Sequence, residues 1–208
     1  MYIISFLSQK GGSGKTTLAV HTAVAAHQDG ERVVVIDTDP QKSASTWGET
    51  RTTEMPVVAT VAVSNVDKVI EAACNEKMTL AIIDTAPHAS PDAVQVARKA
   101  NLVVIPCRPT AFDIAAAGNA VDIVKAAGAN SVFVLSACPF RSPEIRETRG
   151  ILEREYGLPV APTCITDRRA FARAIASGRA VTEFESDGKA ADEIRALWSW
   201  LRKNCEQR

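Results

Sequence analysis

The feature that most constrains this chain is a glycine-rich turn between an apolar run and a helical pattern. Tyr2-Ile3-Ile4-Ser5-Phe6-Leu7 runs directly into Ser8-Gln9-Lys10-Gly11-Gly12-Ser13-Gly14-Lys15-Thr16-Thr17. Gly11, Gly12 and Gly14 permit backbone conformations that aim several N–H groups at one anion. A helix starting near Lys15 adds its positive end. Lys15 is placed to reach the β- and γ-phosphates of a nucleotide, and the Thr16 hydroxyl suits a magnesium ligand. The strict phosphate-loop consensus wants a glycine where Gln9 stands. This loop carries an added lysine, Lys10, in its place. A nucleoside triphosphate with Mg2+ is the ligand it predicts; a glycine turn without a ligand is the alternative.

Short apolar runs and helical patterns alternate along the rest of the chain. Strands are predicted over 2–8, 32–37, 57–63, 79–84, 101–107, 131–138 and 160–165. Helices are predicted over 15–28, 65–76, 90–100, 112–127, 142–156, 168–177 and 187–204. Runs such as Val33-Val34-Val35-Ile36 and Leu80-Ala81-Ile82-Ile83 are apolar at consecutive positions, as in strands covered on both faces of a parallel sheet. Gly30, Gly128 and Gly157 stand where three helices should stop. The expectation is an α/β, doubly wound, mainly parallel sheet with helices on both faces, in one domain over 1–208.

Composition narrows the classes of function. Lysine plus arginine equals aspartate plus glutamate at 24 each, so a strongly basic nucleic-acid binder is excluded as a global description, though a local patch is not. No apolar run approaches the length of a membrane span, and no basic stretch precedes the first strand, so a cytoplasmic protein is expected. The five cysteines lack metal or redox spacing; Cys107, Cys138 and Cys164 read as buried free thiols. His21 and His27 read as packing or surface residues, and His88 is assigned no role.

Two acidic segments accompany the loop. Asp37-Thr38-Asp39-Pro40-Gln41 ends the second predicted strand, and Asp84-Thr85-Ala86-Pro87 ends the fourth. Both put carboxylates at the carboxyl ends of parallel strands, where such folds bind ligands. There they can hold magnesium directly or through water; alone, either aspartate could instead cap a helix.

On these residues the chain resembles the ParA/MinD group of deviant Walker ATPases, and most of all the short plasmid-partition ParA proteins. Lys10–Thr17 matches the deviant Walker A pattern with its signature lysine, Asp37–Gln41 the DxDPQ motif, and Ile82–Pro87 the Walker B region. Ile165-Thr166-Asp167-Arg168-Arg169 with Phe171, Ala174, Ile175 and Gly178 resembles their late segment. The resemblance implies that Lys10 reaches phosphates bound by a second subunit and that Asp39 positions the attacking water. It also implies that Asp84 holds magnesium through water, that Asp37 supports the metal site, and that Pro106–Asp113 lies near the nucleotide and the dimer interface. A solvated loop lysine is the alternative for Lys10.

Slow ATP hydrolysis, an ATP-dependent homodimer, non-specific DNA binding and a centromere-binding ParB-type partner are further implications, with a nucleoid-associated location. The loop begins so near Met1 that no helix-turn-helix is expected ahead of it. Residues 141–208 carry 13 basic and 11 acidic side chains, and Arg168, Arg169, Arg173 and Arg179 cluster there as candidate DNA contacts. A solvated face or dimer salt bridges would explain the same arginines. A MinD-like membrane-surface ATPase is the competing reading, because Ile194, Leu197, Trp198 and Leu201 form an apolar stripe beside Arg195, Arg202 and Lys203. Packing of that stripe on the sheet is favoured, which leaves the membrane an unlikely partner; Trp200 lies off it. An iron–sulfur or amidase relative finds no support in the cysteine positions or chain length.

Overall fold

The computed structural model describes residues 1–87 and 91–206, apart from the side chains of Pro91 and Glu206. Six strands form one parallel sheet: β1 (Tyr2–Phe6), β2 (Val33–Asp37), β3 (Val57–Thr60), β4 (Leu80–Asp84), β5 (Leu102–Cys107) and β6 (Ser131–Leu135). Their order is β3-β2-β4-β1-β5-β6. The doubly wound α/β expectation is met. β1 lies between β4 and β5, so the chain crosses over it and a crevice opens at the carboxyl ends of these strands.

Alternate residues of each strand feed opposite cores, as the pleat requires. Ile4, Phe6, Val33, Val35, Leu80, Ile82 and Val104 point to one face. There they meet α1 (Lys15–Gln28), α2 (Ser43–Glu49), α7 (Arg169–Ala176), α8 (Val181–Phe184) and α9 (Lys189–Glu206). Val34, Ile36, Ala81, Ile83, Val103 and Ile105 point to the other. That side holds α3 (Val66–Asn75), α4 (Pro91–Lys99), α5 (Ala111–Ala127) and α6 (Glu144–Tyr156).

The expected strand over 160–165 is a correction. Isolated bridges, Phe133 to Val160 and Cys138 to Thr166, and a bond from Ile165 N to Leu135 O tie this segment to the sheet without a continuous ladder. Pro159 and Pro162 lack the N–H donors that a continuous ladder needs. Strand β3 also stops at Thr60, short of residue 63, and β6 stops at Leu135, short of 138. Helices α2 and α8 had no predicted counterpart, being too short to show a period. Gly30, Gly128 and Gly157 all take positive φ, as helix stops do.

The α9 stripe is buried: Ile194, Leu197, Trp198 and Leu201 pack on the sheet core, and Trp200 packs partly against it. Trp198 Nε1 and Arg202 both donate to Asp29 at the end of α1, at 2.9 Å. No helix among the described residues is long and apolar enough to cross a membrane. Cys107 and Cys138 are buried free thiols as expected, while Cys164 is partly exposed. His88 lies outside the described residues.

His21 is fully buried, edge-on to Phe171, and its Nδ1 accepts from Val181 N at 3.1 Å. Burial pushes its pKa down to about 3. Between about pH 6.5 and 3 the unfolded chain therefore binds the proton that the folded one excludes, so stability falls as pH falls. Compared with His21→Asn, which keeps an acceptor but does not titrate, the parent should lose about 1.4 kcal/mol of relative stability per pH unit below 6. Urea melts at pH 7, 5 and 4 measure this; a pH-independent difference would contradict it.

Candidate nucleotide site

The loop between β1 and α1 closes on itself through its glycines. Gly12 and Gly14 take φ of +73° and +98°, conformations that a side chain disfavours. Behind Gly14 stands Ser136, at the end of β6, whose hydroxyl donates to Ser13 O at 2.7 Å. A Cβ on Gly14 would lie 3.4 Å from the Ser136 Cβ. Ser136 carried no sequence signal beyond its place after a strand.

Lys15 is buried at the start of α1, and burial lowers its pKa against the opposing pull of Asp84 and Asp39. The next residue meets the Walker B carboxylate: Thr16 Oγ1 donates to Asp84 Oδ2 at 2.6 Å. The loop, Asp39 and Asp84 thus converge although they lie on three segments. Thr17 lines the adjoining cavity.

Asp84 is completely buried, and its Oδ1 has no hydrogen-bond partner among the described residues. Burial raises its pKa to about 7, opposed mainly by the Thr16 bond. A buried carboxylate with an orphaned oxygen beside a threonine hydroxyl and a lysine fits a hydrated magnesium ion. Bound there with ATP, magnesium would supply charge neutralisation to the phosphate oxygens.

Asp37 is differently employed. Oδ1 accepts from Asp39 N at 3.1 Å, while Oδ2 accepts from Ser45 N and Ser45 Oγ at 2.8 and 2.7 Å. It therefore folds the DxDPQ turn and starts α2, next to Asp84, its register partner in the sheet. Asp39, half-buried, accepts from Gln41 N at 2.9 Å.

Lys10 points elsewhere. Its ammonium lies 2.6 Å from Asp113 Oδ2, a buried carboxylate in the first turn of α5 that Thr110 also holds. Pro106–Asp113 was expected near the site; the specific contact was not legible.

Beyond Gly14 a cavity of about 520 Å³ opens toward Ile165, Phe171 and Ile175, with room for a base and sugar. Glu193 of α9 fixes its wall, accepting from Thr166 N, Thr166 Oγ1 and Arg168 at 2.8–3.0 Å. Glu193 escaped sequence reading because it sits in an otherwise ordinary helix. Of the four candidate DNA arginines, Arg168 is engaged by Glu193 and lines this cavity, and Arg173 lies over the Phe184 ring. Arg169, Arg173 and Arg179 are exposed.

Without metal or nucleotide, ionised Asp84 should cost the fold a few kcal/mol at pH 8, since stability falls as pH rises between its unfolded value of 3.8 and about 7. Asp84→Asn should raise the melting temperature in EDTA at pH 8, with a smaller gain at pH 5. An unchanged or lowered melting temperature at pH 8 would contradict this.

Comparison with known proteins identifies the family. Residues 4–181 match the family model described as the CobQ/CobB/MinD/ParA nucleotide binding domain. The Maintenance of carboxysome distribution protein A of Gloeobacter kilaueensis is 30% identical, covering 93% of this chain and 89% of its own. The Chromosome partitioning protein ParA of Caulobacter vibrioides is 48% identical over a shorter stretch, 21% of this chain and 16% of its own. The solved structure of the Pyrococcus furiosus cell division ATPase MinD superposes with a TM-score of 0.76 at 19% identity, over 97% of this chain and 98% of that one. The chain is an ATPase of the ParA/MinD family.

Proposed function

We propose that this ATPase is a DNA-partition switch, one domain over 1–208, that works as a homodimer. Mg-ATP drives two copies face to face, the dimer binds DNA non-specifically, and slow hydrolysis stimulated by a centromere-binding ParB-type partner resets it. Such a cycle would keep the protein on the nucleoid. The observation that carries this reading is Lys10, a second lysine in the phosphate loop whose ammonium rests on Asp113 in the single chain. The lysine end of this pair is partly exposed and Thr110 also holds the Asp113 carboxylate, so the ammonium can leave when a phosphate competes for it. It can then reach phosphates held by a second copy.

The remaining residues fall into roles. The backbone of Gly11–Thr17 cradles the phosphates, and Lys15 neutralises the β- and γ-oxygens. Thr16 and Asp84 would hold the metal, Asp84 through water, with Asp37 supporting their surroundings. Asp39 orients the attacking water. As charge develops on the transferred phosphoryl group, Lys15 and the partner's signature lysine stabilise it.

Exposed Arg169, Arg173 and Arg179 support a DNA-binding face that dimerisation would double. Arg168 contributes less, given its bond to Glu193. The relative named for chromosome partitioning favours a DNA cargo. The MinD-like alternative would need the α9 stripe free for lipid, and that stripe is buried.

Light scattering with ATP should show a dimer for the parent, a persistent dimer for Asp39→Ala, and a monomer for Lys10→Ala. Co-sedimentation with DNA should require ATP, fail with ADP, and weaken steeply with salt. A Lys10→Ala dimer, or binding to DNA indifferent to nucleotide and salt, would refute the proposal.

A further inference from the structure

Arg108 lies beside the phosphate loop without an assigned task. It directly follows β5, and Thr110 N donates to its carbonyl at 2.8 Å, which fixes the turn there. Its side chain is exposed and lines the cavity with Gly12, Gly14 and Thr17. The guanidinium lies against the loop itself: Nη2 is 3.6 Å from where a Cβ on Gly12 would stand.

The other cations nearby are engaged. Lys10 is on Asp113, Arg168 is on Glu193, and buried Lys15 faces Asp84 and Asp39. Among the described residues, no carboxylate lies within salt-bridge distance of Arg108. A guanidinium beside a glycine loop at the positive end of α1 adds positive potential to positive potential, an arrangement that favours an anion.

We propose that Arg108 is a phosphate ligand supplied in cis, which turns onto the β- and γ-phosphate oxygens when ATP binds. With a nucleotide seated on the positive end of α1, Gly14–Thr17 would cover the inner phosphates, and Gly11 and Gly12, farther back along the loop, would lie toward the terminal one. With no side chain at Gly12, the guanidinium has an open approach to that end. Its planar fork can hold two oxygens at once and stabilise the charge that spreads over them as water attacks and ADP leaves. Basal hydrolysis by one subunit would then draw on Arg108, and the partner's Lys10 would add to it. The inference rests on the ATP site and is independent of the DNA reading.

Equilibrium binding of fluorescent ATP, ADP and AMP, with single-turnover hydrolysis, tests it on the parent, Arg108→Ala and Arg108→Lys. Arg108→Ala should weaken ATP and ADP about 10-fold, one charge-assisted contact, while AMP changes less than about twofold. Its hydrolysis rate should fall about 10-fold or more, and Arg108→Lys should recover affinity better than rate. Nucleotide-free melting should not move, since the side chain is exposed. If Arg108→Ala binds ATP and ADP and hydrolyses ATP within twofold of the parent, the assignment of Arg108 is wrong and the site stands. A parent that binds no nucleotide would overturn both.

Discussion

The hydrogen bond from Thr16 to Asp84 is the contact on which the site depends. It joins the first turn of α1 to the end of β4, two segments that meet only because β1 and β4 pair in parallel, Phe6 opposite Asp84. The sheet buries Asp84 to a depth where an ionised carboxylate is unfavourable, and the single hydroxyl leaves one oxygen unsatisfied. Buried Lys15, short of full solvation, is the complementary strain. Each defect would be relieved by a ligand of the other sign, a divalent cation for Asp84 and phosphate for Lys15. A fold that gives up stability at this point gains an affinity that its relaxed surfaces could not supply.

From that point the structure transmits order outward along α2. Asp37 starts this helix through Ser45, and Trp47 Nε1 donates to Arg179 O at 3.2 Å. Arg51 pairs with Glu183 and donates to Gly178 O, while a Cβ on Gly178 would stand 2.3 Å from Thr50 O. Gly178 and Arg179, just beyond α7, therefore rest against a helix whose first turn is held by Asp37. Glu193 makes a second tie, from α9 to the wall of the nucleotide cavity. Packed contacts thus join the DxDPQ segment to Arg179, and α9 to the wall of the nucleotide cavity.

Much of this was legible in the sequence, because strand runs and glycine stops are local signals. The six sheet strands, the phosphate loop and both acidic segments could be read without coordinates. The misread segment at 160–165 has apolar residues but also Pro159 and Pro162, whose missing donors outweigh its hydropathy. Ser136, Glu193 and the Lys10–Asp113 contact were out of reach, since each joins residues far apart in the chain and none bears a local pattern. The employment of Asp37 in starting α2 was hidden for a similar reason: a seven-residue helix is too short to announce itself.

The central claim is that Thr16 and Asp84 form a magnesium-dependent ATP site. Phosphate release by the parent and Thr16→Ala, titrated with Mg2+ from EDTA to millimolar excess, tests it most directly. The parent should show no hydrolysis in EDTA and a magnesium-dependent rate, and a folded Thr16→Ala, lacking the metal-holding hydroxyl, should lose roughly 100-fold or more. Hydrolysis by the parent in EDTA, or a parental rate from Thr16→Ala, would contradict it.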